Sequence, residues 1–167
     1  MPEPAFAVWI TGLPASGKST ITSCLKQLLA DRAVDVEVLE SDALRRILRD
    51  ESYAETDRDA FYQRMAWIGA LLVKHGVPVI FDATANRRRY REAARSLIPR
   101  FFEVFIDVPL AACMARDPKG IYRNAAGDVP GLHAAFELPL NPDLVIDGLR
   151  ESPDEAARRI AAFLPLK

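Results

Sequence analysis

The stretch WITGLPASGKST, residues 9–20, decides how the rest of the chain is read. Within it, Gly12-Leu13-Pro14-Ala15-Ser16-Gly17-Lys18-Ser19 fits G-x-x-x-x-G-K-[ST], with Thr20 next. The apolar run AFAVWIT (5–11) precedes it as a strand. Ile21, Cys24, Leu25, Leu28 and Leu29 follow at helical spacing. Strand, glycine loop, helix is the context this motif requires. Glycines let backbone N–H groups converge on phosphate oxygens, and the helix N-terminus adds partial positive charge. Lys18 is expected to reach the β and γ phosphates, and Ser19 to ligate Mg²⁺. Residues 12–20 are thus expected to form a cradle for a nucleoside triphosphate.

Outward from the cradle, strand-like and helix-like segments alternate. VDVEVLE (34–40), VPVIF (77–81), FFEVFIDV (101–108) and DLVID (143–147) read as four more strands. RDAFYQRMAWIGALLVKHG (58–76) reads as a long helix closed by His75 and Gly76. In SPDE, Ser152 is an N-cap and Pro153 the first helical residue. The pattern predicts an α/β, three-layer P-loop NTPase fold with a five-stranded parallel sheet and a lid segment. The lid is expected at about 116–142, a polar stretch rich in Gly and Pro. Residues 1–167 are read as one domain, since half of them are hydrophobic and no linker interrupts them.

Lys and Arg number 22 and Asp and Glu 23, for a net charge of -1. That balance argues against general nucleic-acid or membrane binding. No apolar run approaches the roughly 18 residues of a membrane span, and the N-terminal segment lacks a basic n-region. A cytoplasmic location is expected. Cys24 and Cys113 are expected as buried thiols rather than as a disulfide or metal site.

The cradle serves GTPases, ATPases and kinases alike. No N-K-x-D guanine-reading motif is present, and VPVIFDAT does not end in the Asp-Glu of a motor ATPase. A small chain with a basic lid suits a kinase, which must exclude water and neutralise the γ-phosphate. On the acceptor side Asp42, after the second strand, is the leading catalytic candidate with Lys18. It orients the acceptor hydroxyl, caps the helix at 43–49 (alone or with Ser41), or does both. Arg45, one turn on, is either an anion ligand or part of a solvated face.

Five segments, GLPASGKST, ESDALRRIL, TDRDAF, FIDVPLAACMARDPKGIYRNA and LPLNPDLVIDG, resemble the adenylylsulfate (APS) kinases. The resemblance runs from about Phe6 to the last helix. It implies transfer of phosphate from Mg²⁺·ATP to the 3′-hydroxyl of adenylylsulfate, giving PAPS, in sulfate activation. It implies that Asp42 is the acceptor-side carboxylate, and that Arg45, Arg58, Arg88 and the lid's Lys119 meet a small anionic substrate. A homodimer stays open.

Departures from the family pattern are equally specific. Phe61 stands where the family usually has a substrate-contacting Asn, and competes for a core role at helical spacing with Met65, Ile68 and Leu72. Gly131-Leu132-His133 replaces the lid's Phe-Thr-Gly, putting Leu132 where a ring would stack on the substrate adenine. Tyr53 is the candidate for the other ring. FDATANRRRYR (81–91) is closer to polynucleotide-kinase-type enzymes and makes Asp82 a second candidate beside Mg²⁺, or else a helix cap. Arg87, Arg88, Arg89 and Arg91 form an anion site beside the γ-phosphate, a groove for nucleic acid or a solvated helix face, with Arg88 and Arg91 matching family arginines. Arg116 either stacks on the ATP adenine or braces transition-state charge. His133 reads as an exposed loop residue. Two rivals stay open: a kinase for another hydroxyl (nucleic-acid 5′-end, sugar or small metabolite), and an ATP-binding regulatory protein without turnover.

Overall fold

Alternate residues of the first strand serve opposite layers, and this organises the molecule. The computed structural model describes residues 5–125 and 127–166. Strand β1 (Ala7–Thr11) is buried along its whole length. Val8 and Ile10 face one core with Leu25, Leu29 and Ile160. Ala7 and Trp9 face the other with Phe61, Met65 and Phe81. A strand covered on both faces reads as a continuous apolar run, as this one does.

The order continues with α1 (Lys18–Ala30), β2 (Glu37–Glu40), α2 (Ser41–Leu48), α3 (Glu55–Lys74) and β3 (Val79–Asp82). Then come α4 (Arg88–Leu97), β4 (Phe101–Asp107), α5 (Leu110–Arg116), β5 (Leu144–Asp147) and α6 (Pro153–Phe163). The sheet order is β2-β3-β1-β4-β5, and every pairing is parallel. Helices α1 and α6 pack together on one face, α3 and α4 on the other. The expected three-layer architecture is the one observed.

Parallel strands send all their carboxyl ends to one edge. Register sets Glu40 beside Asp82 and Asp82 beside Ile10 at that edge. The helices that follow the neighbouring strands β1 and β3 lie on opposite faces, which makes this the switch point where ligand crevices form in such sheets. Close packing supports the edge from below. A side chain at Gly69 would place Cβ 2.1 Å from the Phe81 ring, so α3 approaches β3 as only glycine allows. Helix α6 begins with the expected capping box, the Ser152 hydroxyl accepting from Glu155 N–H and the Glu155 carboxylate from Ser152 N–H.

Some boundaries differ from the sequence reading. Helix α3 starts at Glu55, before 58. Helix α2 starts at Ser41, with Glu40 at its N-cap and no side-chain cap. Asp42 therefore sits inside the first turn and caps nothing. Of the two free thiols, Cys113 is buried and Cys24 only half-buried.

Candidate active site

The cradle is built by backbone. After β1 the chain turns so that Ser16 N–H donates to Leu13 O at 3.1 Å. Gly17 then takes φ 99°, a left-handed conformation at the N-cap of α1, and no side chain caps that helix. Its first-turn N–H groups are left to an anion. Gly12 permits the close approach: a Cβ there would lie 2.8 Å from Ile106 O and 2.8 Å from Ser16 Oγ. The Ser16 hydroxyl is buried with no hydrogen-bond partner.

Lys18 is buried rather than exposed, and its ammonium donates back to Gly12 O at 3.0 Å and Leu13 O at 2.9 Å. Burial pushes its pKa down from 10.5 to about 8, against the pull of the Asp82 carboxylate. Asp82 ends β3 and is itself buried. Burial raises its pKa, opposed by Lys18 and by a hydrogen bond from the Ser19 hydroxyl. The strand is held against the cradle by Trp9 Nε1–H to Ala83 O at 3.1 Å and Thr11 Oγ1–H to Thr84 O at 2.6 Å. Ser19 and Asp82 supply a hydroxyl and a carboxylate side by side. That oxygen donor set fits Mg²⁺ carried in with phosphates.

A cavity of about 780 Å³ opens from the cradle toward α2, α3 and the lid. Its walls include Lys18, Ser19, Thr20, Asp42, Arg45, Arg58, Asp82, Arg116 and Lys119, together with Tyr53. Lys119 Nζ lies 3.2 Å from Asp42 Oδ2, so the lid reaches across to the acceptor side. Arg45 is not on a solvated face. It is 5 % exposed, and its Nη1 donates to Asp50 Oδ1 at 3.2 Å and Ser52 O at 3.1 Å. Arg58 is buried and donates to Asp128 O of the lid. Tyr53, half-exposed, lies over both guanidinium groups, 4.5 Å from Arg45 and 5.5 Å from Arg58.

Several expected ligands stand elsewhere. Phe61 is fully buried beneath Arg45, 3.9 Å from its guanidinium, and is absent from the cavity wall among the described residues. The core role wins there because the helix turns that position inward. Leu132 is 38 % exposed and also absent from the wall. The lid instead passes Gly127, Asp128, Val129 and Pro130 over the cavity. Arg88 donates to Leu138 O at 2.8 Å and does not line the cavity. Its neighbours also serve structure. Arg87 pairs with Glu55 and Glu137, Arg89 with Glu55 and Asp59, and buried Arg91 with Glu103 at 2.5 Å. The basic run is therefore neither an open anion site nor a plain solvated face. Arg116 lines the cavity and also donates to Gly148 O at 2.9 Å. Gly12, Leu13 and Ser16 lie behind the wall and shape the loop.

Other residues of the site escaped the sequence reading. Asp117, 2 % exposed, accepts the backbone N–H of Tyr122 at 3.2 Å and of Arg123 at 3.0 Å. Burial alone would raise its pKa; those N–H donors and Arg123 bring it below the usual carboxylate value. Tyr122 Oη–H donates to Pro14 O at 2.8 Å, tying the lid's root to the cradle. Asn86 holds the lid's far end, with its side-chain Nδ2–H on Ala135 O at 2.9 Å and its backbone carbonyl accepting from Glu137 N–H at 2.8 Å. Asp117 and Tyr122 lie inside RDPKGIYRNA, but their partners are distant or backbone groups that no local pattern reveals.

A phosphate cradle on the switch-point edge, a hydroxyl–carboxylate pair beside it and an acceptor pocket under a basic lid define a kinase of the P-loop class. Comparison with known proteins narrows this class. A family model, adenylylsulphate kinase, matches residues 4–147, and the chain belongs to that family. It is 37% identical over 165 residues to an adenylyl-sulfate kinase of Gloeothece citriformis, covering 96% of this chain and 94% of that one. It is 37% identical over 164 residues to an adenylyl-sulfate kinase of Pseudomonas aeruginosa, covering 94% and 84%. Its structure superposes with a TM-score of 0.92, at 32% identity, on the Mycobacterium tuberculosis APS kinase CysC in complex with AMPPNP and APS, covering 97% and 98% of the two chains.

Proposed function

We propose that this chain, acting as one catalytic domain, transfers the γ-phosphate of ATP to the 3′-hydroxyl of adenylylsulfate. The observation that carries this reading is the single cavity in which the cradle, Asp42, Arg45, Arg58 and Lys119 meet. Family membership and the relative solved with AMPPNP and APS support the donor and acceptor.

ATP is seated on the loop 12–20 by backbone N–H groups at the start of α1, with its adenine toward Arg116. Lys18 leaves the carbonyls of Gly12 and Leu13 for the phosphates, where its charge is matched. Ser19 and Asp82 would hold Mg²⁺, which supplies neutralisation of the β and γ oxygens when bound. Arg45 and Arg58 take the anionic phosphosulfate through charge-assisted hydrogen bonds. Tyr53 offers its ring to the acceptor's base. Lys119 transfers its charge from Asp42 to the incoming anions, and Asp42 is freed to accept the 3′-hydroxyl proton. The hydroxyl oxygen bonds to the γ-phosphorus, the bond from that phosphorus to the bridging oxygen breaks, and ADP departs. Catalysis is positioning plus charge neutralisation. Among the described residues no helix is long and apolar enough to cross a membrane. Free thiols and ATP use fit a reducing cytoplasmic setting.

The test is ADP release by purified protein with Mg²⁺·ATP and adenylylsulfate, set against a panel of sugars, nucleosides and oligonucleotide 5′-hydroxyls. Adenylylsulfate-dependent release well above the panel is expected. No such release at millimolar adenylylsulfate, with turnover of another acceptor, would move the chain to a different substrate. ATP binding without turnover of any acceptor would favour a regulatory role.

A further inference from the structure

We propose that Phe61 is a positioning residue that acts on the acceptor only through Arg45, fixing that guanidinium for the anion. This rests on the reading of Arg45 as a ligand of adenylylsulfate. The family resemblance places a polar, substrate-contacting side chain at this position, and this chain has a phenyl ring instead. Phe61 has no exposed surface from which to touch a ligand. Its ring lies 3.9 Å from Arg45 Cζ, and Tyr53 lies 4.5 Å from the same atom. Arg45 donates through Nη1 to Asp50 O, Asp50 Oδ1 and Ser52 O. Two aromatic rings and one anchored nitrogen therefore set the plane of the guanidinium, while Arg45 still lines the cavity.

A planar guanidinium gains from an aromatic face, and the gain grows when the pair is shielded from water. Ordering Arg45 in advance removes rotamer entropy that anion binding would otherwise cost. What a polar residue would give by direct contact, Phe61 gives by holding a charged neighbour in place. A ring is required for this, and general apolar packing is not enough.

Phe61→Leu conserves burial and removes the aromatic face; Phe61→Met is the second variant should leucine pack poorly. The expected result is a rise of roughly tenfold in KM for adenylylsulfate, the order expected for a shielded cation–aromatic pair. kcat and KM for ATP should stay within about twofold, since the ring meets Arg45 and Tyr62 and lies behind the cavity wall. The same substitution in an Arg45→Met background should then produce no further rise, because the group it positions is gone. An unchanged KM in the single variants would overturn the inference. So would an equal rise in the Arg45→Met background, which would mean that Phe61 shapes the pocket by another route. Wild-type protein that releases no ADP with adenylylsulfate would instead overturn the acceptor reading on which the inference stands.

Discussion

The cradle and the lid close the same cavity from two sides and are built by different means. The cradle, residues 12–20, is a backbone device: amides at the start of α1, a left-handed Gly17, and a Gly12 that admits no side chain. The lid is a side-chain device. Its root hangs on Asp117 and Tyr122, its middle on Arg58, and its far end on Asn86 and Arg91. A backbone anion site needs only a few small residues, so it is specified within one short motif. A lid fixed by scattered bonds can change its face toward the acceptor while keeping its anchors. In this chain the anchors are buried and paired, whereas Leu132 is left facing solvent. Donor binding and acceptor choice are therefore separable, and each can be broken alone.

The largest effect belongs to the cradle. Lys18→Ala should abolish measurable phosphoryl transfer, a loss of at least about a thousandfold in kcat, the scale seen when a preorganised donor to developing charge is removed. Folding should survive, because Lys18 is a buried charge whose desolvation outweighs the pull of Asp82 and whose hydrogen bonds go to two carbonyls. Turnover near that of the wild type would show that the chemistry does not use this lysine. Asp42→Asn comes next, with an expected fall in kcat of roughly two to four orders of magnitude, the worth of a positioned general base. KM values should move less. A loss of only a few fold would reassign Asp42 to holding the lid through Lys119, which it meets at 3.2 Å.

A pH experiment probes the cradle without mutation. The free protein holds Lys18 at about 8, below its unfolded value of 10.5, because burial disfavours the ammonium. Phosphates restore the charged form, so ATP binding should take up a proton between the two values. Affinity for ATP is then greatest below about pH 8 and falls by up to about tenfold per pH unit above it. Stability without ligand has the opposite trend. The unfolded chain binds more protons across that window, so the free protein gains stability as pH rises through it. Calorimetry in buffers of different ionisation heat reads the uptake directly. No uptake, or the same uptake in Lys18→Ala, would contradict the assignment.

The joint between the two devices should show a smaller effect. Tyr122→Phe removes the hydroxyl that binds Pro14 O and leaves a buried carbonyl unpaired, at about 1–3 kcal/mol. KM for ATP should rise roughly five- to tenfold, as 1.4 kcal/mol is a factor of ten. A change in KM for adenylylsulfate alone would mean that the lid's root serves the acceptor rather than the cradle.

Legibility in the sequence follows the same division. The five-stranded parallel sheet rests on five apolar runs with intervening helical patterns, and the cradle on eight contiguous residues, so both were readable, whereas the strand order was not. Asp42, Arg45, Arg58 and Lys119 were also identified, and they do meet in one cavity. The lid's anchors were not readable, because their partners are far away: Tyr122 and Pro14 are 108 positions apart, Asn86 and Ala135 are 49 apart. The run Arg87–Arg91 misled for a related reason. Its basic character is plain in one dimension, but Glu55, Asp59, Glu103 and Glu137 arrive from other segments to neutralise it. Phe61 was ambiguous because apolar spacing on a helix cannot distinguish a ring facing the core from one facing a ligand.

The smallest effect separates position in sequence from position in space. Leu132 occupies the lid position where the family pattern has a stacking Phe, and from sequence alone Leu132→Phe should tighten adenylylsulfate. In the structure Gly131 turns at φ 87°, and a Cβ there would strike Leu13 at 2.7 Å, so the lid passes tight against the cradle just before Leu132. The Leu132 backbone N–H is bound to Val129 O at 3.1 Å, and its side chain is left outside the cavity wall. A phenyl ring at 132 inherits that direction. It should change KM for adenylylsulfate by less than about twofold, against the roughly ten- to hundredfold that a base–aromatic stack would contribute. Steady-state kinetics of Leu132→Phe beside Tyr53→Leu makes the contrast, since Tyr53 does line the cavity. A marked fall in KM for Leu132→Phe would show that the lid rotates on binding and that residue 132 reaches the adenine after all.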